Sequence, residues 1–124
     1  MDLQEFLKIT AVEYCGNLGD YICQDIRIPC YMKDGEYHSI QASKYHYCRP
    51  QVDWRDLCGR FYTHLELAGG LSDKDLQVMG LDERDYNDVY GYVPIEDVEK
   101  FINNHGGIDS DKVLKEIMVK ELKK

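Results

Sequence analysis

The apolar positions fall into short periodic blocks whose period changes along the chain. From Asp2 to about Gln24, Leu3, Phe6, Leu7, Ala11, Tyr14, Cys15, Leu18, Tyr21 and Ile22 recur at spacings of three and four. That is the stripe of an amphipathic helix. Gly16 and Gly19 each lower helix stability by about 1 kcal/mol, so a break into two helices is expected there. The period then shortens to two. Ile26, Ile28 and Cys30 alternate with Arg27, Pro29 and Tyr31. Asp34-Gly35 is a hairpin-turn dipeptide. Beyond it Tyr37, Ser39 and Gln41 alternate with His38, Ile40 and Ala42, and Tyr45, His46, Tyr47 and Cys48 prolong the β-prone run. The pattern predicts a small antiparallel sheet of two or three strands over about residues 25–48, with Pro29 favouring an edge. A sheet of that size needs a helix packed on it.

Helical spacing returns after the connector Arg49-Pro50-Gln51-Val52. Asp53 reads as an N-cap, followed by Trp54, Leu57, Cys58, Phe61, Tyr62 and Leu65, and Gly69-Gly70 as a stop. This predicts a central helix over the sheet. Beyond Leu71 the blocks predict short helices. Ser72 caps one that runs to Met79 and ends at Gly80, and Asp82 caps another through about Tyr90. Pro94 opens a third, with Ile95, Val98, Phe101 and Ile102 as its buried stripe and Gly106-Gly107 closing it. Ser110 caps the last, with Val113, Leu114, Ile117, Met118 and Leu122 apolar and Lys120, Lys123 and Lys124 at its C-terminal end. The fold class predicted is α+β in a single domain. Residues 1–70 form a helix–hairpin–helix part, and residues 71–124 an acidic helical part.

Composition supports a packed core. The chain has 124 residues and 14.5 kDa, 44% hydrophobic and 31% charged. At that mass about two thirds of the unfolded surface can be buried. The longest apolar runs are only about three residues, far from the roughly 20 of a membrane span. The N-terminus MDLQEFLKIT carries Asp2 and Glu5 where a signal peptide needs basic residues. A cytoplasmic protein is therefore expected. Five cysteines cannot all pair within one chain, and in a reducing compartment they stay thiols.

Charge narrows the function. There are 15 Lys and Arg against 23 Asp and Glu, a net charge of −8, which opposes direct nucleic-acid binding. The window 73–99 contains Asp73, Asp75, Asp82, Glu83, Asp85, Asp88, Glu96, Asp97 and Glu99 against Lys74 and Arg84. Nine acids less two bases is −7, nearly the whole of the chain's charge. Helix N-termini attract acids, so capping accounts for many of them. A concentrated field of one sign also steers a basic partner, and the interleaved Tyr86, Tyr90 and Tyr92 supply anchors that charge alone lacks. The expectation is a non-enzymatic interaction or inhibitor protein presenting this acidic, tyrosine-containing surface to a basic protein, such as a nuclease or another nucleic-acid-handling protein. In size and charge the chain resembles the small acidic proteins with which phages and mobile elements block restriction or CRISPR nucleases.

An alternative is a small-molecule or nucleotide-binding pocket between the sheet and the central helix. Tyr45, His46, Tyr47, Arg49, Arg60 and His64 would line it, offering aromatic stacking and cations for an anionic ligand. Metal chemistry has little local support. Cys30, His38, His46, Cys48, Cys58 and His64 include one close pair, His46-x-Cys48, without a second. Phosphate-loop and EF-hand spacings are absent, and no glycine-rich nucleophile turn surrounds Cys48 or Cys58. No metal, cofactor or catalytic residue is assigned from the sequence.

Overall fold

In a computed structural model, which describes residues 1–12, 26–81 and 84–123, four strands form one antiparallel sheet in sequence order. They are β1 (Cys30–Tyr31), β2 (Tyr37–Gln41), β3 (His64–Ala68) and β4 (Val89–Pro94). The helices are α1 (Leu3–Ile9), α2 (Asp73–Val78), α3 (Ile95–Asn104) and α4 (Ser110–Leu122). The α+β class and the helical C-terminal half are as the sequence predicts. Among the described residues no helix is long and apolar enough to cross a membrane.

The Asp34-Gly35 turn forms as expected. Met32 N–H donates to Glu36 O at 2.9 Å, and Gly35 takes φ +92°, which a side chain would resist. Register then sorts the faces. Ile40 lies opposite Leu67, Leu67 opposite Tyr90, and Leu65 opposite Val93. These buried residues meet Val98, Phe101 and Ile102 of α3, the stripe read from the sequence, and Phe6 and Leu7 of α1 join the same core. The other face carries Ser39 opposite Ala68 and Gln41 opposite Glu66. The hairpin tip docks on the connection between α3 and α4. Lys33 N–H donates to Gly107 O at 3.0 Å, Asp34 N–H to His105 O at 3.3 Å, and Asp109 N–H to Tyr31 O at 2.8 Å.

Arg27 ties the chain ahead of β1 to this frame. It is buried, and its guanidinium donates to the carbonyls of Ala42 and Leu7. Gln41 closes the loop by accepting from Arg27 N–H and donating to Arg27 O, both at 3.0 Å.

The sheet extends well beyond residues 25–48, because β3 and β4 come from stretches that read as helix. The central helix from Trp54 to Leu65 is absent. Trp54–Asp56 makes a single 3₁₀ turn, Cys58 and Gly59 turn the chain with φ +54° and +81°, and Phe61 is left exposed. His64–Ala68 instead follows the two-residue period, with Leu65 and Leu67 inward. Tyr45–Cys48 is a turn and not a strand extension. The helix expected to Tyr90 is likewise replaced by a loop and β4, so the acidic part of the chain contributes a strand to the same sheet. On α2, Ser72 and Asp75 form a full capping box. The cap of α4 is Asp109, whose carboxylate accepts from Lys112 N–H at 3.1 Å, rather than Ser110. Val113 of α4 is buried, whereas Leu114, Met118 and Leu122 are exposed. Tyr14, Cys15, Leu18, Tyr21 and Ile22 of the N-terminal stripe, Gly16 and Gly19 within it, and Asp82 and Glu83 of the acidic window lie outside the described residues.

Candidate functional site

Among the described residues, two constellations carry chemistry. The first is built where the hairpin tip, α2 and the end of α3 converge. His105 is the C-cap residue of α3, and its ring is held between two carboxylates. Nδ1 lies 2.5 Å from Asp34 Oδ2, and Nε2 lies 2.7 Å from Asp75 Oδ1. With both nitrogens facing acceptors, the ring binds best as the two-donor imidazolium. Burial opposes that charge, but hydrogen bonds to and the charges of Asp75 and Asp34 outweigh it and raise the His105 pKa. The partners move the other way. Burial pushes Asp75 up, but the Ser72 N–H and the His105 contact hold it below the ordinary carboxylate range. For Asp34 burial is likewise overcome, by the Glu36 N–H and by His105, and its pKa is lowered.

His38 stands beside this trio. Its ring centroid is 5.9 Å from that of His105, and Phe101 packs edge-on to both. Nδ1 lies 2.7 Å from the Gly69 carbonyl oxygen, which can only accept, so Nδ1 carries the proton. Nε2 is buried without a hydrogen-bond partner, and the Glu36 carboxylate is 3.9 Å away. One ligand atom each from His38, Asp75 and His105 lies within 4.8 Å of the others. Among the described residues, these are the ones that could hold a metal.

The second constellation is exposed, on the outer face of the sheet. Between Leu65 and Leu67 the register with β4 slips, so Gly91 and Tyr92 together oppose Glu66. Such a bulge re-aims side chains. Tyr92 adopts φ +55°, an uncommon state for an aromatic residue. Its N–H donates to Tyr47 O at 2.9 Å, and the two rings lie 5.9 Å apart. The Arg49 guanidinium sits over the Tyr92 ring at 5.1 Å. Gly91 makes the approach possible, since a Cβ there would lie 2.7 Å from that of Tyr47. Beneath, Glu66 accepts from Tyr47 N–H at 3.4 Å, and burial raises its pKa against that bond. Despite these contacts Tyr47 and Tyr92 remain 55% and 42% exposed.

The sequence-predicted residues divide between these places. Of the acidic window, Asp73, Asp85, Glu96 and Glu99 are exposed, Asp88 and Asp97 are partly covered, and Asp75 is buried in the first constellation. Several have local partners. Arg84 meets Asp73 at 2.7 Å, Asp85 caps the turn at Asn87 and Val89, Asp88 accepts from Gly70 N–H, and Lys100 is 3.7 Å from Asp97. Tyr86 is almost wholly exposed, while Tyr90 is buried and its hydroxyl accepts from Asp85 N–H.

The central helix that was to form the wall of the alternative pocket is missing, while Arg49 and His64 of that set pair through their backbones, Arg49 N–H donating to His64 O at 3.0 Å. His46 bonds Ser43 Oγ at 2.7 Å, Tyr45 N–H donates to the same Ser43 hydroxyl, Arg60 donates back to Leu57 O, and His64 bonds Thr63 Oγ1. Tyr47 and Arg49 also join Tyr92 from the other set. As site residues, Asp34, His105 and Glu66 were all missed by sequence reasoning, Asp34 being read only as part of a turn. Compared with protein-family models, with curated proteins and with solved structures, the chain matches none.

Proposed function

We propose that the chain is a non-enzymatic interaction protein that docks on a basic partner through the outer face of its sheet. The observation that carries this is the Tyr47–Tyr92–Arg49 stack, exposed to solvent and held by a bulge and a left-handed tyrosine. Tyr and Arg dominate interface hot spots because they join large contact area to a polar tip. A core residue has no use for a strained backbone that keeps its ring in water, and such strain collects at binding sites. The net charge of −8 and the exposed Asp73, Asp85, Glu96 and Glu99 supply a negative field that speeds encounter with a basic protein. Nucleic-acid-handling proteins commonly bear a basic patch that such a field attracts, so an inhibitor of a nuclease-type enzyme is the fullest form of this proposal.

The test is capture from host lysate by the tagged chain, beside Tyr47→Ala and Tyr92→Gly. The wild type is expected to retain a basic protein, and either variant to weaken capture about 30-fold or more, the measure of a hot spot. Tyr92→Gly is informative because it relieves the left-handed strain of about 1 kcal/mol and keeps the fold. Equal capture by all three proteins would contradict the reading.

A further inference from the structure

We infer that His38, Asp75 and His105 form a binding site for one divalent first-row metal ion of the zinc type, oriented by Asp34 and the Gly69 carbonyl. Three elements far apart in sequence (β2, α2 and the end of α3) bring the ligand atoms within 4.8 Å of one another. Two imidazoles and one carboxylate are the donors that zinc and its neighbours accept, with a further position left for water or another ligand. Glu36, 3.9 Å from His38 Nε2, is placed to supply it.

The state of His38 is the independent observation. A buried imidazole nitrogen without a partner is destabilising. Here Nδ1 donates to Gly69 O, which leaves the lone pair on Nε2. His38 is 4% exposed, so water does not freely repair the deficit. A cation at that lone pair does.

The outer contacts point the same way. Metal-ligating histidines donate their second ring N–H to a carbonyl or a carboxylate, which fixes ring orientation and raises ligand basicity. His38 has the carbonyl partner and His105 has the carboxylate partner, Asp34. In the metal-free chain a proton bridges His105 Nε2 and Asp75 Oδ1. Metal takes the place of that proton and engages all three ligands.

The probes are Zn²⁺ and Co²⁺, added to the full chain after chelator treatment. Uptake is read by calorimetry, and the ligand type by the visible and near-ultraviolet Co²⁺ spectrum. The expected result is one ion per chain with a Kd of about 1 μM or tighter, equivalent to −8.2 kcal/mol. The Co²⁺ spectrum is expected to lack a thiolate charge-transfer band. His38→Gln should abolish stoichiometric uptake, and Asp34→Asn should weaken it about 10- to 100-fold, as loss of an orienting partner does. Asp34 is at the surface, so that variant remains a test if His38→Gln does not fold. No stoichiometric uptake by the folded wild type, a thiolate band, or an affinity unchanged by Asp34→Asn would overturn the site.

Discussion

Single residues decide where side chains sit in this protein. Gly91 is the plainest case, since its missing Cβ is what lets Tyr47 lie against β4. Gly91→Ala forces Tyr47 off the sheet and is expected to lower stability by about 1–3 kcal/mol, the usual range for overpacking. Denaturant unfolding measures it, and an unchanged midpoint would mean that Tyr47 is not seated there. The two constellations were only partly legible at this scale. Tyr47, Arg49 and Tyr92 all stood out for their residue types, but in separate groups, because nothing local reports a bulge that joins positions 47 and 92. Asp34 read as a turn residue and Asp75 as a capping acid. Both readings are correct and incomplete, since each carboxylate also holds His105. A lone histidine at a helix end carries no pattern, and positions 34, 75 and 105 meet only after three elements have packed.

At the scale of elements, the signals that survived are those with a local physical cause. The Ser72 capping box, the Asp34-Gly35 hairpin and the Val98–Phe101–Ile102 stripe each depend on neighbours within a few residues. Ser72→Ala should lower stability by about 1 kcal/mol, the worth of an N-cap. Thermal unfolding reads the shift. Because Ser72 N–H also binds Asp75 Oδ2 at 2.9 Å, the backbone half of the box persists in that variant. The central helix failed as an expectation because two periods overlap. Trp54, Leu57, Phe61 and Leu65 fit a helix, whereas Leu65 and Leu67 alternate with His64, Glu66 and Ala68 as a strand. Pairing with both β2 and β4 settles the contest for the strand, since a central strand satisfies its backbone on both sides. The helix expected to run to Tyr90 failed over its described residues, 84–90, for the same reason: Val89–Pro94 has a partner strand waiting in β3. Helix α4 shows the converse, with a regular apolar stripe of which Val113 is buried and Leu114, Met118 and Leu122 are exposed.

The whole molecule responds to pH and salt through these charges. His105 is raised, so its stabilising charge is fully present below its unfolded pKa of about 6.5 and is lost as pH rises through the folded value. Asp34 and Asp75 are lowered, so their contribution is present above about 3.9 and is lost as pH falls through their folded values. Together they make the contribution of the cluster, which His38 and Glu36 also face, greatest between about pH 4 and 6.5. In chelator-treated protein, the stability difference between wild type and His105→Gln should be greatest between about pH 4 and 6.5 and shrink as pH rises through the raised folded pKa of His105. A constant difference would contradict the ion-paired arrangement. Salt acts on the longer-range field, since at about 0.5 M the Debye length is only several ångströms.

The central claim is that negative charge brings a basic partner to the tyrosine face. The most direct measurement is the affinity for the captured basic protein at about 0.05 M and 0.5 M salt, for wild type, for Tyr92→Gly and for a chain with Asp85, Glu96 and Glu99 changed to Lys. Wild-type affinity should fall at least about 10-fold with salt, mainly through the association rate. The lysine variant should already be weak at low salt, and Tyr92→Gly should bind weakly at both. An affinity indifferent to salt, to the charge change and to Tyr92 would contradict the account.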